Sequence, residues 1–271
     1  MQITESIIEL ENGSLRIRRQ GAGTPLVFLH GAHGINTWPR YLELLAARHE
    51  VIVPDLPGFG RSTASKTTTR VHDMARVMLD MIDTLSPDAA VDLAGHCLGG
   101  WVALEMAVRG APLRSLTLLD SAGIHVDGIR KGDFFIVSPG ELPALLFADP
   151  QVGEDWLQAE TTSEFESAVF QNRQMAARLA WSPRLFDPEL TRWLRRVSVP
   201  TRVIWGEHNQ ILPLAMGEAL AQRTGASLQV IAAAGHLAFI EQADACAEAT
   251  LAHLVEVSAR RTPAPNASLG I

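Results

Sequence analysis

Short apolar runs alternating with helical patterns organise most of this chain. Ile7 to Glu11 and Leu15 to Arg19 flank Asn12-Gly13, a dipeptide that readily takes positive φ, so the chain is expected to open with a β-hairpin. Four apolar runs follow, at Leu26 to Leu29, Val51 to Val53, Ala90 to Ala94 and Leu116 to Leu119, each ending in a turn rich in Gly, Pro or Asp. Between them apolar residues recur at helical spacing, over Trp38 to Arg48, Val71 to Leu85 and Trp101 to Val108. Strand, helix and strand in repetition make an α/β protein with a parallel sheet, because parallel neighbours need a long crossover connection.

The rhythm breaks after Ala122. Phe134-Phe135, Leu142 to Phe147, Trp156, Phe165, Phe170, Met175 and Trp181 recur at helical spacings with no buried strand run among them. Residues 123–195 therefore read as an inserted helical cap. Alternation resumes at Thr201 to Trp205 and Leu228 to Ile231, and a last helix is expected from about Gln242 to Val257. Residues 1–122 and 196–271 thus form the α/β core, which ends in a polar, proline-containing tail from Pro263 to Ile271.

Composition narrows the function classes. At 271 residues, 47% hydrophobic and 20% charged, the chain can bury a large core. A formal charge of −7 without a sizeable Lys/Arg cluster argues against nucleic acid or an anionic membrane and favours a small-molecule partner. Met1 to Asn12 lacks the basic and continuously apolar regions of a secretory signal, and no run is long enough to span a bilayer, so a cytoplasmic location is expected. Cys97 and Cys246 lie in a glycine-rich turn and a terminal helix, and free thiols are expected. No metal or cofactor is expected: H-E-x-x-H is absent, and Gly58-Phe59-Gly60 lacks the third glycine of a dinucleotide fingerprint.

The chemistry concentrates where Ala90 to Ala94 runs into Gly95-His96-Cys97-Leu98-Gly99-Gly100 and then a helix. This is a G-x-S-x-G nucleophile elbow with Cys97 in the serine position. Its glycines allow strand and helix to approach, which lifts the side chain at 97 clear of the sheet. A helix N-terminus there is expected to lower the thiol pKa. His30-Gly31-Ala32-His33-Gly34 follows the first parallel strand, where the amides of Ala32 and Leu98 could converge on an oxyanion.

Four segments together carry a resemblance: Leu29-His30-Gly31, Asp55 to Ser62, the elbow, and Trp205 to Asn209 with Ala234-Gly235-His236. In their order and spacing the chain resembles the α/β-hydrolase family over about residues 5 to 257. That resemblance implies a mostly parallel sheet of about eight strands with helices on both faces and an inserted cap. It implies His236 as general base. Chains of this pattern are similar to capped esterases, lactonases, epoxide hydrolases and carbon–carbon bond hydrolases. Substrate contacts are expected from His30, Gly31, His96, Phe134 and Trp181.

Two positions depart from the family pattern: Cys97 replaces the usual serine, and Asn209 the usual aspartate. A Cys-His-Asn arrangement makes chemical sense, since a thiolate–imidazolium pair needs only an orienting amide. Asp120, after the Leu116-to-Leu119 strand, is the second candidate for the acid, and Glu207 the third. The leading function is hydrolysis of a small, largely apolar ester, thioester or lactone through acyl-Cys97. The alternatives are an acyltransferase using the same intermediate, and a silenced hydrolase that only binds ligand.

Overall fold

Val91–His96 is buried at every position, and such a strand is stable only at the centre of a sheet covered on both faces. In the computed structural model, which describes residues 2–163 and 165–261, it occupies that place. The strands are β1 (Thr4–Leu10), β2 (Gly13–Gln20), β3 (Pro25–Leu29), β4 (Glu50–Pro54), β5 (Val91–His96), β6 (Leu113–Leu119), β7 (Thr201–Gly206) and β8 (Ser227–Ile231). They form one eight-stranded sheet in the order β1-β2-β4-β3-β5-β6-β7-β8. Only β1 with β2 and β2 with β4 pair antiparallel; the other pairs are parallel. The expected hairpin turns at Glu11-Asn12. The tail from Pro263 lies outside the described residues.

Helices α1 (Arg40–Ala46), α2 (Val71–Leu85) and α3 (Leu98–Val108) make the first crossovers. The α2 helix buries Val71, Met74, Ala75, Met78, Met81 and Ile82, one apolar stripe at three- and four-residue spacing, and Asp73 accepts the Thr69 and Arg70 amides at 3.1 and 3.0 Å to start it. The α3 helix is buried all round. It begins at Leu98, earlier than the apolar pattern from Trp101 indicates, because Gly99 and Gly100 leave no side-chain signal in its first turn. A Cβ on Gly99 would lie 2.1 Å from the Leu29 carbonyl oxygen, and one on Gly95 2.5 Å from that of Gly99. Only glycines permit this contact.

Between β6 and β7 the chain makes helices α4 (Leu142–Leu146), α5 (Pro150–Glu160), α6 (Glu166–Ala180) and α7 (Leu190–Trp193), with a 3-10 turn at Leu194–Arg196. After β7 come α8 (Leu214–Thr224), α9 (Ala238–Glu241) and α10 (Ala243–Arg261). The sequence pattern did not mark α8, whose apolar stripe is weak; its boundaries are written in Pro213 and in Gly225, which takes φ 68° as a left-handed stop. Among the described residues no helix is long and apolar enough to cross a membrane.

The loop after β3 is gripped from two sides. From below, the Arg18 guanidinium donates to the carbonyls of Ile35, Asn36 and Thr37. From above, Glu160 at the end of α5 accepts from the amides of Asn36 and Thr37, while buried Asn172 on α6 donates to the His33 carbonyl at 2.8 Å and accepts from the Gly60 amide at 2.8 Å. Asn172→Ala would strand those partners. The substitution is expected to cost about 1–3 kcal/mol in denaturant unfolding.

Candidate active site

Cys97 sits at φ 48° and ψ −112°, a conformation that a side-chain-bearing residue takes only when its surroundings enforce it. The enforcement comes from β6 and α3: the Cys97 amide donates to the Leu119 carbonyl at 3.0 Å, and its carbonyl accepts from Trp101 and Ala122, each at 3.0 Å. Asp120 is the second strained residue, at φ 45°, its amide held by the Ile204 carbonyl at 3.0 Å. Both therefore stand at the carboxyl ends of central parallel strands, where open α/β sheets place their ligands.

The Ala32 and Leu98 amides both face the Cys97 thiol closely enough to favour its anion. Two donors from separate loops thus converge on one atom. Burial outweighs them and pushes the thiol pKa up to about 12. This corrects the expectation of a thiol acidified by its helix N-terminus: Cys97 is 2% exposed, and desolvation of the anion exceeds what two amides return. His236 is equally enclosed, and burial, with His96 and His33 nearby, holds its pKa well below the usual imidazole value. A resting thiolate–imidazolium pair is disfavoured on both sides.

Asn209 and Asp120 meet, but not as the Cys-His-Asn expectation has it. Asn209 Nδ2 donates to Asp120 Oδ1 at 2.8 Å, and its Oδ1 accepts from the Leu212 amide at 2.8 Å. Both bonds tie its amide to Asp120 and the following turn, and neither reaches the His236 ring, whose Nδ1 has no partner. Asp120 Oδ1 also accepts from the Gly206 amide at 2.9 Å, and the Ala238 amide, two residues beyond His236, pulls on the same carboxyl. Two buried atoms here lack hydrogen-bond partners: Asp120 Oδ2 and His236 Nδ1. Burial drives Asp120 up to about 8 despite its donors. Glu207, the third candidate acid, is exposed and accepts from the Ala233 amide.

Among the histidines, His96 Nε2 donates to the His236 carbonyl at 2.9 Å, tying the elbow to the neighbouring loop. His30 is a departure from expectation. Its Nε2 accepts the Leu56 amide at 2.9 Å and its Nδ1 pairs with the Gly31 carbonyl at 2.8 Å, so the ring braces two loops and does not line the cavity at Cys97. That cavity, of about 10 Å³, is bounded by Gly31, Ala32, His33, His96, Cys97, Phe134, His236 and Leu237, among others. It is large enough for one water molecule at most.

A second cavity of about 430 Å³ adjoins it through Ala32, His33 and Phe134, which line both. Its remaining walls include Phe135, Leu142, Val169 and Trp181, with Arg173 and Gln158 as polar members. Phe134 and Trp181 both line this larger cavity. Phe147 instead packs on Trp156 with ring centroids 5.8 Å apart, and Phe170 is 65% exposed. His33 was only weakly marked in the sequence, by its place beside His30-Gly31. Among the described residues no three His, Cys, Asp or Glu side chains gather as metal ligands.

Comparisons with known proteins bear on the family and the fold. The sequence profile described as "Alpha/beta hydrolase family" matches residues 26–249. The chain is 34% identical over 252 residues to the dihydrolipoyllysine-residue acetyltransferase component of the acetoin cleaving system from Pseudomonas putida, covering 86% of this chain but only 64% of that protein. It is 30% identical to 2-hydroxymuconate semialdehyde hydrolase from Pseudomonas sp. strain CF600, covering 82% and 84% of the two chains. A thermophilic esterase from Thermogutta terrifontis superposes with a TM-score of 0.70 at 26% identity, over 95% of this chain and 99% of that one. With the sheet order, the elbow and the profile in agreement, the chain belongs to the alpha/beta hydrolase family.

Proposed function

We propose that this protein hydrolyses a small, largely apolar carboxylic ester, thioester or lactone through an acyl-Cys97 intermediate, with His236 as general base and Asp120 as its acid partner. The observation that carries this reading is the convergence of the Ala32 and Leu98 amides on the Cys97 sulfur in a cavity shared with His236. Residues 123–195 serve as a cap that supplies the larger apolar cavity.

As Cys97 Sγ attacks the acyl carbon, its proton passes to His236 Nε2, and the carbonyl oxygen becomes an oxyanion facing the two amides. Collapse expels the alcohol or thiol, which takes the proton from His236. Water then attacks the thioester, giving a proton to His236, and the acid leaves as Cys97 regains its proton. The dry site that disfavours a resting thiolate lets the amides act strongly once charge reaches the oxyanion. His236 must present Nε2 unprotonated, so Nδ1 must hold the proton and give it to an acceptor. Asp120 Oδ2, also buried and without a partner, is the proposed acceptor, and Asn209 holds the opposite oxygen.

An ionised Asp120 is needed for that tautomer, and burial raises its pKa to about 8. Activity is therefore present above the apparent pKa of the Asp120–His236 pair and lost as pH falls through it. A rising limb of kcat/KM between about pH 7 and 9 is expected; a profile flat from pH 6 to 9 would remove Asp120 from the role. Asn209→Asp would set a second carboxyl beside the first, where one must stay protonated. It is expected to move the limb to higher pH and not to raise activity at pH 7, as a pH–rate series on the variant would read.

The function itself is tested by stopped-flow mixing with p-nitrophenyl butyrate. A burst of p-nitrophenol stoichiometric with enzyme, followed by steady turnover in water alone, supports the hydrolase. A burst that turns over only when an added thiol or alcohol accepts the acyl group points to a transferase. Absence of any burst or turnover leaves a binding protein.

A further inference from the structure

Among the described residues, only three line both the small cavity at Cys97 and the larger one under α5 and α6: Ala32, His33 and Phe134. Any acyl group that reaches from the sulfur into the larger cavity must pass them. Ala32 offers a methyl and Phe134 a ring, so His33 carries the only polar side-chain atoms at the junction. It immediately follows the residue whose amide points at the sulfur. Its backbone is fixed by Asn172 and its ring is set against Phe134, with centroids 5.3 Å apart. Among the described residues the ring makes no hydrogen bond. His33 is half-buried and its ring nitrogens are not sealed inside the protein, so an oxygen of a bound ligand can reach them from the neck.

We propose that His33 is a specificity-determining residue that hydrogen-bonds an oxygen on the substrate's acyl chain, a few bonds from the scissile carbonyl, so that the preferred substrates carry hydroxylated or otherwise oxygenated acyl groups with an apolar end. The inference rests on the acyl-Cys97 reading. Burial, and then the charge of Arg173, bring the His33 pKa down to about 4, so the ring is neutral near pH 7 and offers one donor and one acceptor. A hydroxyl satisfies either. An unsubstituted chain leaves the ring unpaired and displaces whatever water it holds, and sites that hydrogen-bond a substrate group discriminate against analogues lacking it.

The test compares the p-nitrophenyl esters of 3-hydroxyheptanoic and heptanoic acids on the wild type, His33→Leu and His33→Gln. The wild type is expected to favour the hydroxylated ester about tenfold in kcat/KM. His33→Leu brings the ratio to about 1, and His33→Gln, which keeps a donor and an acceptor, holds an intermediate ratio. Dividing the ratio of each variant by that of the wild type cancels the intrinsic reactivities of the esters. A wild-type ratio of 1 or less overturns the proposal without recourse to a variant, as does an equal ratio in the wild type and His33→Leu. If neither ester acylates Cys97, the underlying reading fails and takes this one with it; if both acylate at equal rates, only the His33 assignment fails.

Discussion

Asp120→Asn is expected to lower kcat/KM toward p-nitrophenyl butyrate at pH 8 about a thousandfold while the protein becomes more stable. The loss follows from the tautomer: an asparagine amide facing Nδ1 offers no anionic acceptor and leaves the ring free to carry its proton on Nε2, where it cannot take one from Cys97. Asn209→Ala, by contrast, removes one donor to the Asp120 carboxyl and a turn contact, and a loss of only about tenfold is expected. The reverse ranking would return the orienting role to Asn209. The stability gain follows from burial. Because the folded-state pKa of Asp120 is raised from 3.8 to about 8, the wild type is penalised progressively as pH rises from about 4 to 8. Asparagine keeps the acceptor for Gly206 and Asn209 without that penalty, so Tm should rise by about 5 °C at pH 8 and hardly at all at pH 4. A Tm difference independent of pH would contradict this account of the carboxyl.

The second large effect concerns Cys97 and His236 as a unit. Cys97→Ala and His236→Ala are each expected to reduce kcat by at least about 10⁴-fold, and the double variant to lose no more than either alone. The reason is that the base has nothing to deprotonate without the thiol, and a thiol with its pKa near 12 is almost wholly protonated at neutral pH without the base. Additive losses in the double variant would mean that the two side chains act in separate steps.

Much of this was legible from the sequence. The alternation of apolar runs and helical stretches marked all eight strands, and the glycines around Cys97 marked the elbow, because both are local consequences of steric and hydrophobic patterning. Proximity across the sheet was not legible. Nothing in the neighbourhood of Asn209 says that its amide turns to Asp120, a residue 89 positions away that β6 and β7 bring side by side. Burial is equally hard to read from sequence: a helix N-terminus acidifies a thiol in water, but around Cys97 the desolvation of the anion outweighs it. His33 carried almost no signal, because its significance lies in the two cavities it separates and not in the residues beside it in sequence.

The central claim is that Cys97 carries the acyl group. Rapid acid quenching after mixing with p-nitrophenyl butyrate, followed by intact-mass and peptide mass spectrometry, reads this directly. A butyryl adduct confined to the peptide containing Cys97, formed within the first turnover and decaying in water, is the expected result. In His236→Ala it should form far more slowly. Turnover that proceeds with Cys97 unmodified at every time point, or an adduct on another residue that forms and decays at the catalytic rate, would contradict the account.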